Sequence, residues 1–229
     1  MILSDILTRV RTLLDDLTAT YRWSDDELTL WVNDAQKFVV IYRPDSCVLN
    51  TVQTLVAGTK QTIPTSGLRL LDVVRNIAVD GVSAGRAIRI TERDLMDAVN
   101  PNWHTSTAAQ VIKHYMIDER NPRVYYVYPP ATAASSVEIL CSKMPTAVSA
   151  LTDVLDVSDI YQQVVIDYVM FRAYTKDAEF SANAQLASGF LQSALATFGV
   201  KLQKDVAFSA ELNVRGASPS GAAIQAGGV

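Results

Sequence analysis

The chain has 229 residues, 49% of them hydrophobic, which is enough for a real core in one domain or two small ones. Charged residues make up only 19%, below the roughly 25% of an ordinary soluble chain, so part of the surface is expected to lie under a partner. The net charge is −4, which disfavours a tight, sequence-independent DNA or RNA clamp, because such a clamp needs a basic field.

Met1-Ile2-Leu3-Ser4-Asp5 meets an acid at once, so no export leader is expected. Ile6, Leu7, Val10, Leu13, Leu14 and Leu17 recur at three- and four-residue steps and predict a helix over about 5–17. A second helix starts at a capping box, Ser24-Asp25-Asp26-Glu27, in which Ser24 accepts the Glu27 amide and Glu27 reaches back to the Ser24 amide. Leu28, Trp31, Ala35, Phe38, Val39 and Tyr42 form its apolar stripe, and Pro44 stops it.

From Ser46 to about Pro145 the pattern changes to strands and turns. Segments 47–56 and 59–63 read as a hairpin around Ala57-Gly58, and 71–79 and 86–90 as a second, turning through Asp80-Gly81 to Gly85. Thr91-Glu92-Arg93-Asp94 offers an N-cap to a short helix that ends before Pro101. Segments 111–118 and 124–128 flank a turn with Asn121-Pro122, and 137–143 closes a small antiparallel sheet or sandwich.

Asp156 or Ser158 caps a helix over about 159–179, with Ile160, Val164, Tyr168 and Phe171 on one face. A break near Phe180-Ser181 leads to a last helix reaching about Lys204, which carries Ala184, Ala187, Leu191, Ala194, Leu195, Phe198 and Leu202. Its uncharged run from Ser181 to Val200 is long enough to span a bilayer but holds too many polar side chains, so no membrane span is expected. From about Phe208 the chain turns Ser- and Gly-rich and reads as a flexible arm, or as one that orders against another chain through Phe208, Leu212, Val214, Ile224 and Val229.

The expected fold class is α+β. A helical bundle from the N- and C-terminal helices carries an inserted small antiparallel β domain and a flexible C-terminal arm. The divisions are 1–45 and 151–207 for the bundle, 46–150 for the β domain and 208–229 for the arm.

Catalysis gets little support. Cys47 and Cys141 lie far apart, fit no metal spacing and read as buried thiols in a reducing compartment. His104 and His114 fit no metal-ligand spacing and read as structural or solvent-facing. Asp153, Asp156 and Asp159 sit where a helix begins, so capping explains them without acid–base chemistry. Asp177 and Glu179 read as a solvated helix end. No phosphate-binding glycine loop or nucleophile elbow is present, and no cofactor or metal is expected. The charged turn over 118–123 is either a solvated loop tip or a rim that meets a neighbouring subunit through Glu119, Arg120 and Arg123.

The order of several short motifs resembles the head–tail connector (adaptor) proteins of tailed bacteriophages. These are Trp23-Ser24-Asp25-Asp26-Glu27-Leu28 with Trp31-Val32-Asn33; Leu70-Leu71-Asp72-Val73-Val74-Arg75-Asn76 with Asp80-Gly81 and Arg86-Ala87-Ile88; and Asn100-Pro101-Asn102-Trp103. Val127-Tyr128-Pro129-Pro130 and Tyr168-Val169-Met170-Phe171-Arg172-Ala173-Tyr174 with Lys176-Asp177-Ala178-Glu179 follow, so the likeness covers about residues 1–205. The motifs mark fold positions and no reactive site.

The resemblance implies a structural, non-enzymatic virion protein of the neck, assembled in the host cytoplasm. It implies a homo-oligomeric ring, commonly of twelve copies, bound to the portal protein and to tail or nozzle proteins, with DNA passing through the lumen without specific binding. It also implies a C-terminal arm that reaches the portal, for which Phe208, Leu212, Val214, Arg215, Ile224 and Val229 are the candidate contacts. Another neck or tail-completion protein remains an alternative, and a hydrolase built on Asp153/Asp156 or a Cys/His pair is a third.

Overall fold

The computed structural model describes residues 1–18, 20–78, 81, 83–118, 120–177 and 181–208, with 181 and 200–208 as backbone only. Helix α1 spans Leu3–Leu14 and buries Leu3, Ile6, Leu7 and Val10 on one face. It starts earlier than predicted because the Leu3 and Ser4 amides donate to the Asp153 and Leu151 carbonyls, each at 3.0 Å. Helix-start amides need such partners, and here a distant loop supplies them. The helix also ends earlier, at Asp15, whose φ of 53° is left-handed and whose amide folds back onto the Arg11 and Thr12 carbonyls. Leu17, predicted on the apolar stripe, lies beyond that end and is exposed, as is Leu13 in the last turn of the helix.

One buried guanidinium holds the connection from α1 to the next helix. Arg11 pairs with Asp16 at 2.8 Å, donates to the Trp23 carbonyl at 2.9 Å and lies 3.7 Å from the Tyr21 ring centre. Asp16 in turn accepts the Arg22 and Trp23 amides.

Helix α2, Asp25–Tyr42, begins as predicted, with Ser24 Oγ accepting the Glu27 amide at 3.2 Å. Glu27 turns away from the cap and pairs with Lys176 of a later helix. Leu28, Trp31, Ala35 and Val39 are buried, whereas Phe38 is half-buried among the rings of Tyr42, Tyr168 and Phe198, and Tyr42 itself is exposed. A 3-10 turn at Pro44–Ser46 follows, consistent with the proline stop.

Eight strands are described: β1 Val48–Thr54, β2 Gly58–Thr62, β3 Gly67–Ile77, β4 Ala84–Ala87, β5 Arg89–Ile90, β6 His114–Ile117, β7 Val124–Ala131 and β8 Ser136–Lys143. They form two four-stranded sheets in the orders β1-β8-β3-β4 and β2-β7-β6-β5. The predicted β3–β4 and β6–β7 pairs are present. The first predicted hairpin is not, because β1 pairs with β8 and β2 with β7, in different sheets.

Buried Leu55 explains that change of sheet: its side chain joins the sandwich core and its amide donates to the Ser135 carbonyl at 2.8 Å. Gln61 then grips Val56 from both sides, accepting its amide at 2.8 Å and donating to its carbonyl at 2.6 Å. Ile88 makes the equivalent crossing between β4 and β5. The β5–β6 pair is parallel, so the sheets are antiparallel-rich and not purely antiparallel. Val79 and Asp80 of the predicted β3–β4 turn lie outside the described residues, while Gly81 has the positive φ of 75° that such a turn favours.

Helix α3, Arg93–Val99, starts after Glu92, with no side-chain cap. Thr91 is engaged elsewhere, pairing with His114 Nδ1 at 3.0 Å. A 3-10 turn at Asp159–Tyr161 precedes α4, Gln162–Lys176, and α5 spans Ser181–Phe208. The predicted α4 stripe was too narrow and began too early: Ile160 is exposed, while Val164, Val165, Ile166, Val169, Met170 and Ala173 are all buried. In α5 the buried positions are Ala187, Ala194 and Phe198, and Ala184 is exposed. Glu179 and Phe180 lie outside the described residues, as does the Leu202 side chain.

The fold is thus mixed α+β with two apolar cores. One is shared by α1, α2, α4 and α5 together with Trp23, Cys47, Val148, Leu155 and Val157. The other lies between the sheets, around Leu70, Val73, Ile112, Tyr125, Val127 and Ile139. Among the described residues no helix is long and apolar enough to cross a membrane.

Candidate interaction surfaces

The residues weighed for chemistry and read as structural have local structural partners. Asp153 accepts the Ser149 and Ala150 amides at 2.8 and 2.9 Å, which lowers its pKa. Asp156 feels burial upward, but the Thr146 amide at 2.7 Å and Lys143 at 3.1 Å prevail and lower its pKa. These acids brace the loop over 146–156 and do not cap the following helix as predicted, because the helix starts farther on. Asp159 pairs with the Met1 amine, and Asp177 with Arg22.

His104 stacks on Trp103 with ring centres 3.7 Å apart and shares a hydrogen bond of 2.8 Å with Thr59. His114 pairs with Thr91 and stacks on Tyr128. Cys47 and Cys141 are buried free thiols that belong to different cores, and burial raises the pKa of both. No group of His, Cys, Asp and Glu among the described residues could hold a metal ion.

Of the expected subunit contacts, Glu119 lies outside the described residues and the two arginines have different surroundings. Arg123 belongs to the fold: its guanidinium reaches the Pro64 carbonyl at 3.4 Å, and its own carbonyl accepts the Ile63 amide at 3.0 Å. Arg120 is exposed on the β6–β7 turn, where its amide donates to Asp118 at 3.0 Å. It lines a cleft of about 420 Å3 with Arg93, Asp94, Asp97, Ile117 and Asp118. That cleft shares Arg93, Asp94 and Ile117 with a larger one of about 850 Å3, also lined by Arg69, Ile90, Thr91 and Glu92. Both signs of charge interleave along it.

Helix α3 forms one wall. Asp97 accepts the indole N–H of fully buried Trp103 at 2.7 Å, and Arg93 lies over the Tyr126 ring. These contacts tie down one side of the helix and leave Leu95 and Val99 exposed at 57% and 75%. Their four-residue spacing makes an outward apolar pair on one face of the helix, and neither residue lines the charged cleft. Sequence reasoning named this helix but gave it no role. The signal was there, since a helix of seven residues flanked by turns has little reason to carry two large aliphatics on one face.

Of the expected portal contacts, Phe208 ends α5 and is described as backbone only. Leu212, Val214, Arg215, Ile224 and Val229 lie outside the described residues.

A family model described as SU10 adaptor protein matches residues 1–215, which takes in both apolar cores and the cleft. No match is found among curated proteins. That one model covers nearly the whole chain, helices and sandwich alike, so the chain belongs to the SU10 adaptor protein family, a family of phage head–tail adaptors.

Proposed function

We propose that this structural phage protein forms a closed ring beneath the portal, joins capsid to tail and encloses the DNA channel. The family match over residues 1–215 carries this reading. A ring needs heterologous contacts, in which one patch meets a different patch on the next copy. The cleft beside α3, with Arg120 on its rim, and the exposed pair Leu95 and Val99 elsewhere on the same helix offer candidates for one such patch. Residues 1–45 and 151–207 act as the helical bundle of each subunit and 46–150 as the inserted β domain. Residues from Phe208 onward act as the arm that reaches the portal. The ring holds about twelve copies, by likeness to other connectors, and its other face meets tail or nozzle proteins.

The test is the mass of the purified protein, alone and mixed with its portal. The expected result is a low-order species alone that becomes a ring of about twelve copies on the portal. A protein indifferent to its portal would overturn the reading. Ending the chain after Val206 should leave the fold intact and abolish portal attachment, and attachment that survives removes the arm from the proposal. Val99→Asp should leave the subunit folded and prevent ring closure, because it places a charge on an apolar contact.

A further inference from the structure

Unpaired positive charge gathers at one place on a protein whose net charge is −4. Arg86 on β4, Arg89 on β5 and Lys113 just before β6 are exposed, and none has an ion-pair partner among the described residues. With Ala87 and His114 they line an open concavity of about 440 Å3. Burial, and then the charges of Arg89, Arg86 and Lys113, hold the His114 imidazole below its ordinary pKa. Three cations that the sequence keeps apart therefore act on one point.

The concavity is built into the fold. It lies where the chain leaves edge strand β4 of one sheet for edge strand β5 of the other. Buried Asn76 donates to the Arg86 and Ile112 carbonyls, both at 2.8 Å, and accepts the Ile112 amide at 2.7 Å. One side chain thus ties the backbone that bears Arg86 to the backbone that leads into Lys113. Gly85 permits this approach, since a Cβ there would stand 2.9 Å from the Asn76 carbonyl oxygen. The Arg89 amide donates to the Lys113 carbonyl at 3.1 Å, which fixes the remaining pair.

We infer that this concavity binds the phosphates of a duplex DNA backbone. Guanidinium forks match phosphate oxygens, and an ammonium adds a point charge without orientation. The cations are exposed, so phosphate contact costs them little desolvation. Lys113 also speaks against a protein partner, because protein interfaces are depleted in lysine. The rest of the molecule repels DNA, so the contact is local, weak and sensitive to salt. It is a property of the single chain and does not depend on ring formation.

The experiment titrates a short fluorescent DNA duplex with the full chain at several salt concentrations. With three phosphates neutralised, log affinity should fall against log salt with a slope of about −2.7, or about forty-fold between about 50 and 200 mM. Arg86→Glu with Arg89→Glu should remove binding at every salt concentration. The charge-matched pair Arg9→Glu with Lys60→Glu, at exposed sites on α1 and β2, should retain most of it. Equal loss in both pairs would replace the site with a general charge effect and overturn the proposal. Displacement of the duplex by polyglutamate at lower charge concentration than by unlabelled DNA would assign the cleft to an acidic protein segment, and also overturns it. No binding by the folded chain at the lowest salt is the third overturning result. A chain that binds duplex but forms no ring sinks the ring and leaves this inference standing.

Discussion

The two apolar cores are closed by polar bonds of very different reach. In the sandwich, Asn76 meets Ile112, Tyr115 meets Asp72 and Arg75 pairs with Glu138, all within the middle of the chain. In the helical region, Asn33 exchanges two hydrogen bonds with Val148, Gln36 accepts the Asp156 amide at 3.0 Å, and Lys176 pairs with Glu27. Those partners come from the two ends of the chain, with the whole sandwich between them. The helical core can therefore form only when the ends meet, a loop-closure cost that grows slowly with length and falls if the sandwich folds first. Within the sandwich, β1 at its start pairs with β8 at its end, which brings together the two chain segments that lead into the helices.

Removing one large buried aromatic from the helical core and one from beside the sandwich tests that dependence most severely. Trp31→Ala in the helical core and Trp103→Ala beside the sandwich should each cost about 3–5 kcal/mol. If the regions are one cooperative unit, urea unfolding followed by fluorescence and by circular dichroism gives a single coincident transition in both variants. If the sandwich stands alone, Trp31→Ala splits the curve and leaves the sandwich transition in place. Phe38→Ala should cost less than Trp31→Ala, because Phe38 is only half-buried. An equal loss would mean that its ring cluster with Tyr42, Tyr168 and Phe198 matters more than its exposure indicates.

The polar stitch inside the sandwich comes next. Asn76→Ala leaves the buried Ile112 amide without its acceptor and should cost about 1–3 kcal/mol. Gly85→Ala pushes a methyl group against the Asn76 backbone and should cost about 1–3 kcal/mol by overpacking. Asn76→Ala also releases the Arg86 carbonyl, so β4 can back away from the added methyl and the double variant should lose less than the sum of the singles. Full additivity, measured by urea midpoints, would show that β4 stays in place without the Asn76 tie.

These residues also show where sequence reading succeeds and where it stops. Periodicity placed α1, α2, the β3–β4 and β6–β7 pairs and the last two helices, because short-range pattern sets each of them. It misplaced both ends of α1, whose start depends on carbonyls at Leu151 and Asp153 and whose end depends on Asp15 entering the left-handed region. It paired β1 with β2 because Ala57-Gly58 looks locally like a hairpin turn. The burial of Leu55 and the grip of Gln61 on Val56, which redirect the chain, leave no mark at turn positions. The basic concavity escaped for the same reason: Arg86, Arg89 and Lys113 are ordinary until Asn76 draws their backbones together. Net charge, averaged over the chain, hid it.

Acid titration separates the two regions more gently. His114 has a folded pKa below its ordinary 6.5, so as pH falls the unfolded chain takes up that proton first. Its contribution is complete above 6.5 and is lost as pH drops from 6.5 toward the folded value. Asp153 and Asp156 have folded pKa values below their ordinary 3.8, so their contribution is present above 3.8 and is lost as pH falls through the lowered values. The sandwich should thus begin to weaken in mild acid, well before the loop that ties α1 to the helical core. His114→Gln should flatten the urea midpoint between about pH 7 and pH 5 and leave the steeper acid limb unchanged. A midpoint that still falls in that window would place the titrating group elsewhere.

The smallest effect expected belongs to Ser24, and it probes how α2 is anchored. Ser24 Oγ accepts one helix-start amide, and its loss in Ser24→Ala should cost about 1 kcal/mol. A full capping box would also lose the reciprocal bond from Glu27, but Glu27 is turned toward Lys176 on α4. Glu27→Gln should therefore weaken the contact between the two ends of the chain and leave the cap as it is. A double-mutant cycle between Ser24→Ala and Glu27→Gln should give a coupling near zero. Substantial coupling would mean that Glu27 returns to the cap in solution. The start of α2 would then be a local device of the kind found in the sandwich, and one long-range tie of the helical region would be gone.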